Sequence, residues 1–305
     1  MAIVTVEKSG IPSDEQASGF CRRLEEGSVL YFPETPFEIP AEDRRFLLGV
    51  HQSDRSYHKN IAYRPRKGKI TGAAKLAEPE RARLKGVMES YSRQVEEFAA
   101  ALLAPYRRRW SLDYATFRSV EEEGRDIRIT KRNDRLHVDA FPTRPTCGDR
   151  ILRVFTNIHP SRPRRWLTKQ SFPELVKLFG GRGIPLPKPS GGSLWPITGL
   201  AARRLARAMG LPVAVRSPYD VFMLRFHHFL KRNQEFHDSE PRNVFDFPPN
   251  SSWMVYADGV AHAVLTGQYA LEQTFLVSRE AMVEPGICPA AVLERICGGP
   301  LTALG

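Results

Sequence analysis

The sequence predicts an α+β fold in which two strand-rich stretches, about 115–160 and 251–278, are separated by a mainly helical stretch, about 163–235. Three observations carry this. Leu84, Val87, Met88, Tyr91, Val95, Phe98 and Leu102 recur at helical spacing, which predicts one long amphipathic helix from about Glu78 to Tyr106. The segments "DIRIT" and "RLHVDAF" alternate apolar and polar residues, and "RILRVFTNI", "SSWMVYA", "VAHAVLTG" and "YALEQTFLV" are rich in β-branched and aromatic residues, as strands are. Between these groups, "SFPELVKLF", "GLAARRLARAMG" and "SPYDVFMLRFHHFLKRNQEF" have the texture of helices.

In chain order, residues 1–40 alternate short apolar runs with Gly and Pro, and Val29–Phe32 reads as a strand stopped by Pro33. Residues 41–76 are polar and irregular, with "RPRKGKITGAAK" an exposed basic loop. The long helix follows and braces a core. After the first strand group, a Gly/Pro-rich loop, "GGRGIPLPKPSGGS", splits the first two helices of the insertion. Asp258-Gly259 is a turn between "SSWMVYA" and "VAHAVLTG". No internal repeat is present. The expectation is one domain over residues 1–305, with a bracing N-terminal part of about 1–110, a β core in two parts, and a helical insertion between them.

The composition bounds the partners. Hydrophobic residues make up 42% of the 305 and charged residues 26%, the balance of a folded soluble chain. The net charge of +11 and pI of about 9.7 favour an anionic partner: nucleic acid, an anionic membrane surface or an acidic substrate. Zinc-finger spacing and RNA-binding aromatic motifs are missing, so no nucleic acid is expected. The cysteines, at 21, 147, 288 and 297, form no C-x-x-C, which suits a reducing cytoplasm. No secretory signal is recognisable at the N-terminus, and no run of about 18 apolar residues predicts a membrane span. Peripheral membrane contact and self-association stay open.

The chain contains a single His-x-Asp, His137-x-Asp139. On a strand, residues two apart share a face, so both side chains would project together. Composition alone yields roughly 0.3 such pairs by chance, so the pair is weak evidence by itself and a structural hydrogen-bonding pair is its plain reading. A third ligand must come from elsewhere. His262 fits, borne on a strand-like run 125 residues further on; His227, His228 and His237 lie on or after a helix and fit less well. Two imidazoles and one carboxylate leave three open positions on a metal, which suits non-haem Fe(II); zinc on the same ligands would mean hydrolysis. His-x-Asp followed by a distant strand-borne His is the order found in 2-oxoglutarate oxygenases. That order predicts a double-stranded β-helix, a jelly-roll or cupin-like core, braced by α-helices and carrying the helical insertion between its two ligand segments.

Two blocks, "HVDAFPTRPTCGDRILRVFTNIHPSRPRRW" and "DGVAHAVLTGQYALEQTF", resemble the bacterial Kdo hydroxylase family, Kdo being 3-deoxy-D-manno-oct-2-ulosonic acid. They span some 50 residues directly, and their order and separation extend the resemblance over most of the chain. The resemblance implies an Fe(II)- and 2-oxoglutarate-dependent dioxygenase that uses O2 to hydroxylate Kdo at C3 on a lipid A precursor, giving the sugar Ko. It implies His137, Asp139 and His262 as metal ligands, and a cytoplasmic enzyme that meets its lipopolysaccharide precursor at the inner membrane.

Such an enzyme needs a cation for the far carboxylate of 2-oxoglutarate, and arginine grips a carboxylate with two hydrogen bonds. Many oxygenases place it some ten residues after the last histidine. Here that region offers Gln268, Glu272, Gln273 and Thr274, and no arginine before Arg279. Arg153, on the face of its strand shared with Phe155 and Asn157, is the candidate clamp; Asn157, Thr156 and Gln273 are candidates for supporting hydrogen bonds. For the anionic substrate the candidates are Arg144, the cluster Arg162, Arg164 and Arg165, Trp166 as a platform for a sugar ring, and His159. Two other readings share these residues: a zinc-dependent cupin-type hydrolase, and a non-enzymatic basic protein that binds lipopolysaccharide or nucleic acid.

Overall fold

The computed structural model describes residues 2–7, 10–52, 60–189 and 215–303. Its strands are β1 (Ile3–Thr5), β2 (Val29–Phe32), β3 (Ile61–Arg64), β4 (Lys69–Thr71), β5 (Trp110–Arg118), β6 (Arg150–Asn157), β7 (Arg164–Ser171), β8 (Asn243–Phe247), β9 (Ser252–Tyr256), β10 (Val260–Thr266) and β11 (Ala270–Val277). Its helices are α1 (Asp14–Glu25), α2 (Ala41–Gly49), α3 (Glu78–Leu102), α4 (Phe172–Phe179), α5 (Pro218–Arg232), α6 (Gln234–Asp238) and α7 (Pro289–Cys297).

Eight strands form a major sheet in the order β1-β2-β9-β6-β11-β5-β3-β4, antiparallel except for β1 beside β2. A minor sheet has the order β10-β7-β8. The chain changes sheet repeatedly: β6 lies in the major sheet, β7 and β8 in the minor, β9 in the major, β10 in the minor and β11 in the major. That winding makes the double-stranded β-helix. Phe155, Trp253 and Val255 of the major sheet pack against Trp166, Phe247, Val260 and Val264 of the minor one. On the outer face of the major sheet, Leu152, Val154, Leu271 and Phe275 pack against Leu84, Met88 and Val95 of α3. Each such fully buried aliphatic side chain stabilises the fold by roughly 1.5–3 kcal/mol. On the outer face of the minor sheet, Leu167, Ala261 and Ala263 meet Phe172, Phe222 and Leu293 of α4, α5 and α7.

Local sequence signals set several boundaries. Ser13 and Gln16 close a capping box at the start of α1. Ser171 with Glu174, and Ser217 with Asp220, do the same for α4 and α5. The helix α3 ends at Leu102, short of the expected Tyr106, because Pro105 has no N–H to continue the ladder; Ala104–Tyr106 is a 3-10 turn.

Other expectations change. "DIRIT" is no strand: Ile129–Lys131 is a 3-10 turn. "RLHVDAF" pairs at one position only, His137 with His262. The expected basic loop at 64–75 contains half of a hairpin, β3 to β4. The insertion opens with a strand, β7, disguised by buried charges: Lys169 donates to the carbonyls of Phe236 and Ser239, and Arg164 to that of Gly267. The N-terminal part contributes four strands as well as helices, so the β core extends beyond 115–160 and 251–278. The turn at Asp258-Gly259 makes no hairpin, since β9 and β10 belong to different sheets. It is a corner held by the buried Arg150–Asp258 pair, 2.9 Å apart. A Cβ on Gly259 would stand 2.6 Å from Nη2 of Arg150, so a larger residue there would have to displace that guanidinium. The helix expected at "GLAARRLARAMG" and the end of the Gly/Pro-rich loop lie outside the described residues.

Candidate metal centre

His137 and His262 face each other across two backbone hydrogen bonds, His137 N–H to His262 O at 3.0 Å and His262 N–H to His137 O at 2.9 Å. Directly paired residues point to the same side of a sheet. The two rings therefore meet, with centroids 4.6 Å apart. Asp139, two residues on, is fixed by its own N–H to the carbonyl of Ala257 at 2.8 Å. Its Oδ1 lies 3.4 Å from Nε2 of His137. One ligand atom from each of His137, Asp139 and His262 lies within 4.8 Å of the others, and all three residues are buried.

The donor chemistry suits a divalent cation. Nδ1 of His137 is 2.7 Å from the carbonyl oxygen of Arg135, and Nδ1 of His262 is 3.1 Å from that of Val260. A carbonyl only accepts, so the proton sits on Nδ1 and each Nε2 presents a bare lone pair. Burial holds both imidazoles below their ordinary value, His137 well below it, so both are neutral. Burial alone would raise the carboxyl of Asp139, but the Arg153 guanidinium beside it holds it well below the usual range. Two neutral imidazoles and a carboxylate, converging and desolvated, are a ligand set suited to a divalent cation.

The surroundings brace these ligands. Trp166 stacks on His262 and His227 sits edge-on to His137. His227 is in turn tied through Nδ1 to the carbonyl of Val138 at 2.7 Å. A cavity of about 540 Å³ opens over the three ligands. One wall is a chain of alternating buried charges from the major sheet. Arg153 of β6 reaches Asp139, 2.6 Å from Nε to Oδ2, and also pairs with Glu272 of β11. Glu272 is shared with Arg118 of β5, which also meets Glu122 at 3.4 Å. Burial pushes the Glu272 carboxyl up, but Arg118 and Arg153 together bring it down to about 2. From α5 the cavity is also lined by His227, His228 and Lys231. The rim carries Arg144, its guanidinium 3.9 Å from the Tyr114 ring and 4.4 Å from that of Phe141, paired with Asp113 at 2.9 Å.

The structure thus brings Arg153 and Arg144 to the cavity with His137, Asp139 and His262. Trp166 lines it too, but only 1% exposed, so it backs His262 and offers no free face to a sugar. Other expected residues lie elsewhere. Gln273 and Thr156 point away, towards α3: Gln273 accepts from Ser92 at 2.7 Å, and Thr156 is 3.4 Å from the Tyr91 hydroxyl. Asn157 is spent on the carbonyls of Arg162 and Phe247, both at 3.0 Å. His159 and Arg162 pair with each other at 3.0 Å, beside Tyr269. Arg164 is buried against Glu122 at 3.5 Å, and Arg165 is exposed and paired with Asp246 at 2.7 Å.

The sequence reading passed over Arg118 and Lys231, and saw Glu272 only as the residue standing where an arginine was expected. Arg118 continues the inward phase of Tyr114 and Thr116 on β5, and that alternation was the available signal. It supplies from the neighbouring strand the cation that β11 lacks.

A double-stranded β-helix carrying two histidines and an aspartate at one buried point, with space and cations beside them, defines the facial-triad class of site used by non-haem iron oxygenases. The chain belongs to the 3-deoxy-D-manno-oct-2-ulosonic acid (Kdo) hydroxylase family, whose model matches residues 7–300. Among solved structures, the Kdo hydroxylase KdoO, a non-haem Fe(II) α-ketoglutarate-dependent dioxygenase, is similar throughout. Its complex with α-ketoglutarate and Fe(III) is 33% identical, over 99% of this chain and 97% of KdoO, with a TM-score of 0.83. Its cobalt(II) complex is likewise 33% identical, over 99% and 98%, with a TM-score of 0.85. Among curated proteins none matches.

Proposed function

We propose that this chain is an Fe(II)- and 2-oxoglutarate-dependent dioxygenase that hydroxylates Kdo at C3, on a lipid A precursor, to give Ko. The observation that carries this reading is the convergence of His137, Asp139 and His262 beneath a cleft walled by Arg118 and Arg153. Burial and exact pairing of the His-x-Asp argue against a merely structural pair on a basic surface.

His137 and His262 would offer Nε2 to the iron, and Asp139 a carboxylate kept ionised by Arg153. Iron(II), with 2-oxoglutarate and O2, supplies the oxidising power that replaces a C–H bond of the substrate by C–OH. The chain's own residues bind, orient and exclude water. Arg153, with Arg118 beside it, would take the far carboxylate of 2-oxoglutarate, Glu272 holding the two guanidinium groups in register. Phe155, Trp166 and Val264 line the cavity with apolar surface that keeps water from the reacting carbon. Arg144 at the rim would meet an anionic group of the substrate. No helix among the described residues is long and apolar enough to cross a membrane. We place the enzyme in the cytoplasm, meeting its precursor at the inner membrane surface.

The test is anaerobic loading with Fe(II) and 2-oxoglutarate, followed by O2 with and without Kdo-lipid A. Succinate formation should depend on the Kdo acceptor and match hydroxylated product. Succinate formation indifferent to the acceptor would sink the substrate assignment, and turnover without 2-oxoglutarate would sink the dioxygenase reading.

A further inference from the structure

Lys231 lies in the last turn of α5, four residues after His227 and on the same face, which places both over the cavity. It is 1% exposed. Its hydrogen bond runs to the carbonyl of Thr130 at 3.2 Å, and among the described residues it forms no ion pair with a carboxylate. The two arginines of the cavity wall do: Arg118 with Glu272 and Glu122, Arg153 with Asp139 and Glu272. A buried charge without a counter-ion is costly to maintain. Burial accordingly brings the Lys231 ammonium down to about 8, against the pull of Asp139 and Glu122. An anion entering the cavity would supply the missing partner.

Two anions enter such a site, the co-substrate and the substrate. The arginines stand on β5 and β6 of the major sheet, as a planar fork suited to a carboxylate held in one orientation. Lys231 stands on α5, on the side of His227 and His137. An ammonium is a point charge that holds a carboxylate while tolerating rotation of the group it belongs to. In a 3-deoxy-2-ulosonic acid the carboxyl carbon is C1 and the carbon to be hydroxylated is C3, with one carbon between them. Fixing the carboxylate therefore fixes the methylene to within two bonds.

We infer that Lys231 binds the sugar carboxylate of the substrate and so presents the C3 methylene to the metal centre. This rests on the function proposed above. It leaves the co-substrate to the arginine wall and gives α5 a role in recognition.

The experiment is equilibrium binding of free Kdo, of its C1 amide and of 2-oxoglutarate to the wild-type protein and to Lys231→Met and Lys231→Arg, with steady-state turnover on Kdo-lipid A alongside. Free Kdo carries no phosphate, so it separates the sugar carboxylate from lipid phosphates. Lys231→Met should bind Kdo about tenfold or more weakly and raise KM for the acceptor, with 2-oxoglutarate binding unchanged and Lys231→Arg intermediate. The amide should bind wild type as weakly as Kdo binds Lys231→Met, and replacing Lys231 should cost it nothing further. Undiminished Kdo binding by Lys231→Met overturns the inference. So does weakened 2-oxoglutarate binding with Kdo unaffected, which would make Lys231 a co-substrate anchor. Equal loss for both acids with a lower melting temperature also overturns it, leaving Lys231 a tether for the turn at Thr130. If wild type itself neither binds nor hydroxylates Kdo, the proposed function fails whatever the variants do.

Discussion

The indole of Trp166 lies flat against the imidazole of His262, ring centroids 5.3 Å apart and planes 15° apart. The ring of a proposed metal ligand is thus oriented by packing on one side and by the Val260 carbonyl at its Nδ1. Trp166→Phe keeps an apolar ring in the inter-sheet core but cannot cover the imidazole. Affinity for Co(II) should fall on the order of tenfold, read by absorption titration, with the fold retained. Undiminished affinity would reduce Trp166 to a core residue.

Metal should bind the folded chain and not the unfolded one, so saturation should raise thermal stability. At a free metal concentration of 100 times Kd the gain is about 2.7 kcal/mol. Chelation should lower the melting temperature of the wild-type protein. His137→Ala and His262→Ala should show neither the metal-induced rise nor any turnover. A rise that survives both substitutions would place the metal elsewhere.

Arg118→Leu and Arg153→Leu should each raise the 2-oxoglutarate concentration needed for half-maximal turnover, by tenfold or more, the scale of a lost charge-assisted hydrogen bond. Arg153→Leu should in addition weaken metal binding, because Asp139 loses its counter-ion. Arg165→Ala should leave both unchanged, since its exposed pair with Asp246 is screened by solvent and lies outside the cavity. Initial-rate kinetics at varied 2-oxoglutarate distinguish the three.

Glu272 makes an acid-stability prediction. Its folded carboxyl, at about 2, lies below the ordinary 4.5. Between those values the unfolded chain binds the extra proton, so the contribution of Glu272 is complete above 4.5 and drains away as pH falls towards 2. The full loss is on the order of 3 kcal/mol. Urea unfolding from pH 6 down to pH 3 should show this slope, and Glu272→Gln should flatten it. That variant should also be less stable at neutral pH, with Arg118 and Arg153 left facing a neutral amide.

How much of this was legible in the sequence depended on whether a residue's partner was local. The helix α3 declares itself through its own 3.6-residue period, and β6, β9, β10 and β11 through β-branched and aromatic runs. His137, Asp139 and His262 were legible as a set because two lie two apart and the third sits in a strand-like run. The strand β7 was hidden because its meaning depends on distant acceptors: Lys169 is bearable inside only where Phe236 and Ser239 turn their carbonyls to it. Gln273 and Thr156 each stand one residue out of phase with Glu272 and Arg153, a signal the expectation did not use, and nothing local said that Asn157 was already committed to two carbonyls. Arg118 and Lys231 were missed because a charged residue near the end of a strand or helix reads as solvated, until the fold folds water away from it.

The two backbone hydrogen bonds between His137 and His262 join points far apart in the chain. Closing so long a loop is entropically slow, and the contact is rewarded only when both sheets stand. A nascent chain that has not yet delivered β10 has two of the three proposed ligands, so it would lack the complete iron site. Assembly order would thereby act as a safeguard: the proposed site is completed only when both sheets that wall it are in place.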